Sequence, residues 1–190
     1  TTTTSNIGHH IKGFDLLYFH GIKVFGEYRA AKIKITDLDY TQQQTQLEII
    51  NKVKSSSTDF VVLTGGEPAM YNLNQLVDSL KQFGLETAIE TSGCYPLIGN
   101  IDWYCFSPKK FKAPFEQNIA KANELKVVIS HPSDFEWAEN HAKKLNSSCK
   151  FYLQPEWSKR ERFLPMIIEY VKNNPKWRVS IQTHKIMNIP

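Results

Sequence analysis

The sequence predicts an α/β fold, a partial, TIM-like barrel of about six mostly parallel strands with a reduced set of helices. After residue 40 the chain alternates between short apolar or β-branched runs and stretches of helical period. Successive runs then end in polar or Pro/Gly-bearing segments: Thr64-Gly65-Gly66-Glu67, Glu90-Thr91-Ser92-Gly93, Ser107-Pro108-Lys109, Gln154-Pro155-Glu156 and Gln182-Thr183-His184. A parallel sheet gathers all its C-terminal strand ends on one edge, so these tips are expected to converge on a common site. The barrel is incomplete because residues 90–101 and 106–124 leave too little chain for a full helix each.

Each element follows from its own pattern. Gln42 to Val53 carries Leu47, Ile49, Ile50 and Val53 at weakly amphipathic helical spacing. A strand over 61–64 precedes a helix from Asn74 to Phe83, with Leu76, Val77, Leu80 and Phe83 on one side and Gly84 as its C-terminal cap. Strands are predicted at Glu86–Glu90, Ile101–Phe106, Glu124–Ile129, Lys150–Leu153 and Arg178–Ile181. Between them, Asp134 to Leu145 reads as a helix capped by Ser133 or Asp134, and Phe163 to Asn173 as another.

With 190 residues the chain fits a single domain with a real core. Its 41% hydrophobic and 22% charged residues are those of a globular chain, with no apolar segment of membrane-spanning length and no signal peptide, so a cytoplasmic location is expected. The net charge of +4 includes one basic cluster, Lys109-Lys110-Phe111-Lys112, and suits an anionic small ligand as well as nucleic acid, so charge alone decides little; no aromatic–basic groove signature points to nucleic acid. The three cysteines, Cys94, Cys105 and Cys149, make no CxxC pair and no disulfide framework. Cys105 reads as a buried apolar residue, and Cys94 as a loop residue open to exposure.

Residues 60–68 hold the densest chemistry: an apolar run, then Thr64, two glycines, Glu67 and Pro68. Adjacent glycines let a ligand approach backbone N–H and C=O groups, and Glu67 adds a carboxylate suited to an ammonium group. Combined with Ile89-Glu90-Thr91-Ser92-Gly93, Ile101-Asp102-Trp103, Ser107-Pro108-Lys109, Asn123-Glu124-Leu125-Lys126-Val127-Val128, Gln154-Pro155 and the ending Trp177-Arg178 to Gln182-Thr183-His184-Lys185 and Asn188-Ile189-Pro190, this stretch resembles the radical S-adenosylmethionine enzymes. More narrowly, the chain resembles the 7-carboxy-7-deazaguanine synthase family of queuosine and deazapurine biosynthesis. The likeness covers residues 58–190; residues 1–57 form a divergent N-terminal part.

The resemblance implies roles. Gly65, Gly66 and Glu67 would hold the methionine end of S-adenosylmethionine. Ser107, Pro108 and Lys109, with the turn Gln154, Pro155, Glu156 and Trp157, would line the rest of that cofactor. Thr64 and Glu90 would reach a pterin substrate, His184 would flank it, and the carboxylate of Pro190 would enter the substrate site. A homodimer is implied as well. The family also uses a [4Fe-4S] cluster on three N-terminal cysteines and Mg2+ on a neighbouring threonine. Residues 1–59 contain no cysteine, His9, His10 and His20 are not spaced as a cluster loop, and Leu38, within Thr36–Thr41, takes the threonine's place. The sequence thus leaves two readings: a deazaguanine synthase, or a catalytically inactive relative that binds a pterin, purine or adenosyl ligand. No catalytic residue and no metal ligand is assigned.

Overall fold

The computed structural model describes residues 14–23, 26–35, 49–51, 53–55 and 58–187; the side chains of residues 14–35 and of His184 lie outside the description. His9, His10, Leu38 and the rest of Thr36–Thr41, most of the Gln42–Val53 helix, and Asn188, Ile189 and Pro190 also fall outside the described residues.

One eight-stranded sheet organises the chain, in the spatial order β1 to β8. β1 (Phe14–Lys23) and β2 (Gly26–Ile35) form an antiparallel hairpin. From β2 onward every pairing is parallel. The six expected strands are β3 (Phe60–Gly65), β4 (Glu86–Thr91), β5 (Trp103–Phe106), β6 (Glu124–Ile129), β7 (Lys150–Pro155) and β8 (Trp177–Val179). The α/β fold and its parallel strands are as expected, and the hairpin widens the sheet beyond them. β5 starts two residues later than its apolar run because Asp102 acts as a cap, its Oδ2 accepting the N–H and hydroxyl of Thr87, each at 2.9 Å.

Sequential strand order decides where the helices lie. Right-handed crossovers that always advance in one direction fall on the same face of the sheet. The helices α1 (Asn74–Gln82), α3 (Asp134–Ala142) and α4 (Arg160–Asn173) accordingly pack on β4, on β6 and on β7–β8. The two short spacings hold no full helix: none between β4 and β5, and the four-residue α2 (Glu116–Ile119) between β5 and β6. A last short helix, α5 (Thr183–Ile186), follows β8.

The core fills the helix-covered face. Val61 and Leu63, Ile89, Tyr104 and Phe106, Leu125, Val127 and Ile129, Leu153 and Trp177 meet Leu76, Val77 and Leu80 of α1, Ala138 and Ala142 of α3, and Phe163 and Ile167 of α4. Full burial of each large apolar side chain contributes about 1.5–3 kcal/mol. Gly84 ends α1 as expected, at φ 75°, with the Gly84 N–H bonded to the Lys81 carbonyl and the Leu85 N–H to that of Leu80. Asp134 does not cap α3 in the expected way. Its carboxylate reaches back to the tip of β6, accepting the N–H groups of Ser130 at 2.8 Å and His131 at 2.9 Å, and pairs with Lys110. Glu139 ties three elements together, accepting from Tyr170 (2.8 Å), Trp177 Nε1 (2.7 Å) and Lys176 (2.5 Å). No helix among the described residues is long and apolar enough to cross a membrane.

Candidate functional site

Strand alternation leaves the other face of the sheet to a different set of side chains. Thr64 of β3, Glu90 of β4, Trp103 and Cys105 of β5, Glu124 and Lys126 of β6, Tyr152 and Gln154 of β7, and Arg178 of β8 alternate with the core residues and stand opposite the helices. The two faces differ sharply in polarity.

Ion pairs and ring contacts join these groups across the strands. Lys126 Nζ binds Glu90 Oε1 at 2.7 Å, with the lysine side chain 15% exposed and the glutamate 33%. Glu124 accepts from Trp103 Nε1 at 3.2 Å and from the Cys105 thiol at 3.4 Å. Lys150 lies 4.9 Å from the Trp103 ring centroid, and the Arg178 guanidinium 5.9 Å from that of Tyr152. Ser180 donates to Gln154 Oε1 at 3.2 Å, linking the tips of β7 and β8. Burial opposes the charge of Lys126, but Cys105, Glu90 and Glu124 around it raise its pKa. Lys109, an exposed residue overall, turns its amine to Ser107 Oγ at 3.1 Å; desolvation and the charge of Lys126 lower its pKa.

The expected tips sit at the C-terminal edge, and two of them are tied directly. Glu67, expected to await a ligand's ammonium group, already carries four donors. Its Oε1 accepts from the Ala69 N–H at 3.2 Å and from the Thr91 hydroxyl; its Oε2 accepts from the Ser92 N–H at 2.9 Å and from the Ser92 hydroxyl. A carboxylate has about four lone-pair positions, so these donors fill it. Glu67 therefore caps the 3-10 turn Pro68–Met70 and clamps the tip of β3 to the tip of β4. What stays open is backbone: Gly66 is exposed, and a Cβ added there would meet nothing within 4 Å.

The turn after β4 is held just as firmly. Gly93 sits at φ 74° against the rings of Tyr104 and Phe106, where a side chain has no room. Buried Asn118 of α2 donates to the carbonyls of Gly93 (3.1 Å) and Tyr95 (2.5 Å) and accepts the Leu97 N–H at 3.1 Å. At the end of β7, Pro155 is buried and Glu156 caps the 3-10 turn Trp157–Lys159 by accepting the Ser158 N–H at 3.1 Å. The Trp157 ring centroid has Arg160 at 4.4 Å and Lys185 of α5 at 5.2 Å. The Gln154–Trp157 turn and the segment that follows β8 thus come together. His184 is placed only by its backbone in α5, and Pro190 lies outside the described residues.

The cysteines are spread through the fold. Cys94, expected to be open to exposure, is buried, its thiol 3.4 Å from the Lys112 carbonyl. Cys105 and Cys149 are buried too, and burial pushes their thiols up, that of Cys149 to about 11. Among the described residues no three His, Cys, Asp or Glu side chains form a group able to hold a metal ion.

Sequence reasoning found the tips and missed the floor. Glu124, Lys126, Tyr152 and Arg178 received no role, although the pattern Glu124-Leu125-Lys126-Val127 already sets charges on alternate positions of a strand. That period of two marks a polar face lying on the back of an apolar one.

No family model matches the chain. A 7-carboxy-7-deazaguanine synthase of Flavobacterium psychrophilum is 48% identical over 147 residues, covering 77% of this chain and 69% of that protein. The one of Synechocystis sp. is 43% identical over 147 residues, covering 77% and 70%. The crystal structure of QueE from Escherichia coli superposes with a TM-score of 0.72 at 21% identity, over 94% of this chain and 99% of that one, which shows the shared fold. With relatives this similar over most of both lengths, the chain belongs to the 7-carboxy-7-deazaguanine synthase family.

Proposed function

We propose that the open face binds 6-carboxy-5,6,7,8-tetrahydropterin and that the chain is built for its conversion to 7-carboxy-7-deazaguanine, a carbon–nitrogen lyase step of queuosine and deazapurine biosynthesis that contracts a ring and releases ammonia. The observation that carries this reading is the cluster of charged and polar side chains on that face, with Glu90 held by Lys126 and the strand tips along its rim. A charged, half-buried floor on a rigid sheet suits a polar heterocycle that carries both donors and a carboxylate. Thr64 and Glu90 would contact the pterin, with His184 beside it.

S-adenosylmethionine, which supplies radical chemistry to this family, fits the backbone of the Gly65-Gly66 turn, of which Gly66 is exposed. Ser107, Pro108, Lys109, Gln154, Pro155, Glu156 and Trp157 would line the rest of its site. With Glu67 filled by protein donors, backbone groups of the glycine turn are left to take the ammonium end. The described residues do not fit a [4Fe-4S] cluster: the three cysteines are buried in separate places, and residues 1–59 supply none. For Mg2+, the described residues gather no three His, Cys, Asp or Glu side chains into one group. These observations favour a second reading, a relative that binds the pterin or an adenosyl ligand without a cluster. A cytoplasmic homodimer is the form proposed for either reading, on the strength of the family resemblance.

Two measurements separate the readings. Calorimetric titration with S-adenosylmethionine and with the carboxypterin should show binding of both; failure of both removes the site. Anaerobic reconstitution with iron and sulfide, read by absorbance and EPR, should yield no stoichiometric cluster. Appearance of one, together with deazaguanine product, decides for the enzyme.

A further inference from the structure

We propose that Lys126 is a positioning residue for substrate recognition, holding Glu90 at a fixed place and charge on the floor of the open face. The proposal rests on the reading that this face takes the carboxypterin. Glu90 and Lys126 stand on β4 and β6, with β5 between them. Register places Glu90 beside Cys105 and Cys105 beside Glu124, so Lys126 lies one pleat nearer the rim and reaches diagonally over β5. Cys105, the β5 side chain in that row, is small, and the 2.7 Å contact passes over it.

An ammonium group only 15% exposed is costly unless paired, and Glu90 is the carboxylate within hydrogen-bond reach of it. Among the described residues, the charged and titratable side chains around the pair include Glu124 from β6, Cys105 from β5 and Lys109 from the segment after β5, with Glu67, from the turn after β3, beside Lys109. β3 offers Thr64, which does not titrate. Removing Lys126 would take away the cation bonded to Glu90 at 2.7 Å and leave Glu124 in place on the same strand, β6, and a carboxylate that loses a bonded cation moves and takes up a proton more readily. Lys126 thus acts on a ligand through Glu90.

The test uses the fluorescence of 6-carboxypterin as its probe. The unsubstituted protein should bind it with little change across mildly acidic to neutral pH. Lys126→Met should weaken binding roughly tenfold or more, the usual scale for truncating one side of a buried charge pair. Its affinity should also fall further on acidification. Lys126→Arg should restore most of the loss, and Glu90→Gln combined with Lys126→Met should be no worse than the more damaging of the two alone. A purely structural lysine would lower thermal stability while leaving the pH profile of binding untouched, and that result overturns the proposal. Should Lys126→Met fail to fold, the 15N signal of the Lys126 ammonium in the unsubstituted protein decides. It should be visible at neutral pH, move on adding 6-carboxypterin and vanish in Glu90→Gln; a signal indifferent to the ligand overturns the proposal. If the unsubstituted protein does not bind 6-carboxypterin, the substrate reading falls and takes this one with it. If it binds and Lys126→Met binds equally well, only the role of Lys126 falls.

Discussion

The two faces of this sheet are made from the same strands and obey opposite rules. On the helix-covered face, Leu63, Ile89, Phe106, Leu125 and Leu153 are fully buried within one apolar cluster. On the open face, the alternate residues Thr64, Glu90, Cys105, Glu124, Lys126 and Gln154 carry charge or hydrogen-bonding groups; Glu90 pairs with Lys126, Cys105 with Glu124, and Gln154 with Ser180. One face therefore supplies stability through burial, while the other holds polar groups whose pairing offsets the cost of desolvating them. A substitution should be read by the face it falls on: losses of stability are expected from the first and, on the proposed function, losses of binding from the second.

The largest effect expected is from Phe106→Ala, which opens a cavity under α3 and should cost about 3–5 kcal/mol in urea denaturation. A loss below about 1 kcal/mol would mean the covered face is not the packed core described. Next is Gly93→Ala, where the new Cβ would stand 2.8 Å from the Phe106 ring and 2.9 Å from the Tyr104 hydroxyl at a φ of 74°. Strain and overpacking together should cost roughly 2–3 kcal/mol, read as a lower Tm.

Glu139→Gln should remove about 1–2 kcal/mol at neutral pH. Burial opposes the charge of Glu139, but hydrogen bonds from Lys176, Trp177 and Tyr170 outweigh it and hold the carboxyl below its ordinary value of 4.5. Its stabilisation is therefore present above that value and is lost as pH falls from there through the folded value. The gap between the two proteins should close over that acid range, and a gap independent of pH would refute the assignment. The smallest stability effect should come from Tyr152→Phe on the open face, within about 0.5 kcal/mol. If ligand binding also stays unchanged in that variant, this part of the floor lies outside the site.

The covered face was the more legible one in the sequence. β3, β4 and β6 are apolar or β-branched runs bounded by glycine, proline or polar residues, and their bounds differ from expectation by no more than a residue or two. β8 starts one residue earlier than expected because Trp177, whose indole reaches Glu139, already pairs with Phe151. The hairpin of β1 and β2 went unread because its residues mix aromatic, basic and apolar types without the apolar run that marks a buried strand. At the site, the glycine and proline punctuation gave away the tips. The Glu90–Lys126 pair stayed hidden because 36 positions separate its members and no local pattern joins them. The four bonds to Glu67 were equally unreadable, since a carboxylate after two glycines looks the same whether it faces a ligand or the next strand's serine.

Glu67 has a consequence for how a guest molecule would settle on the rim. Because one carboxylate staples the ends of two neighbouring strands, the ledge beneath Gly66 has its outline before anything arrives. A visitor then surrenders its own freedom of motion and asks little rearrangement of its host, which favours tight holding by a small number of contacts.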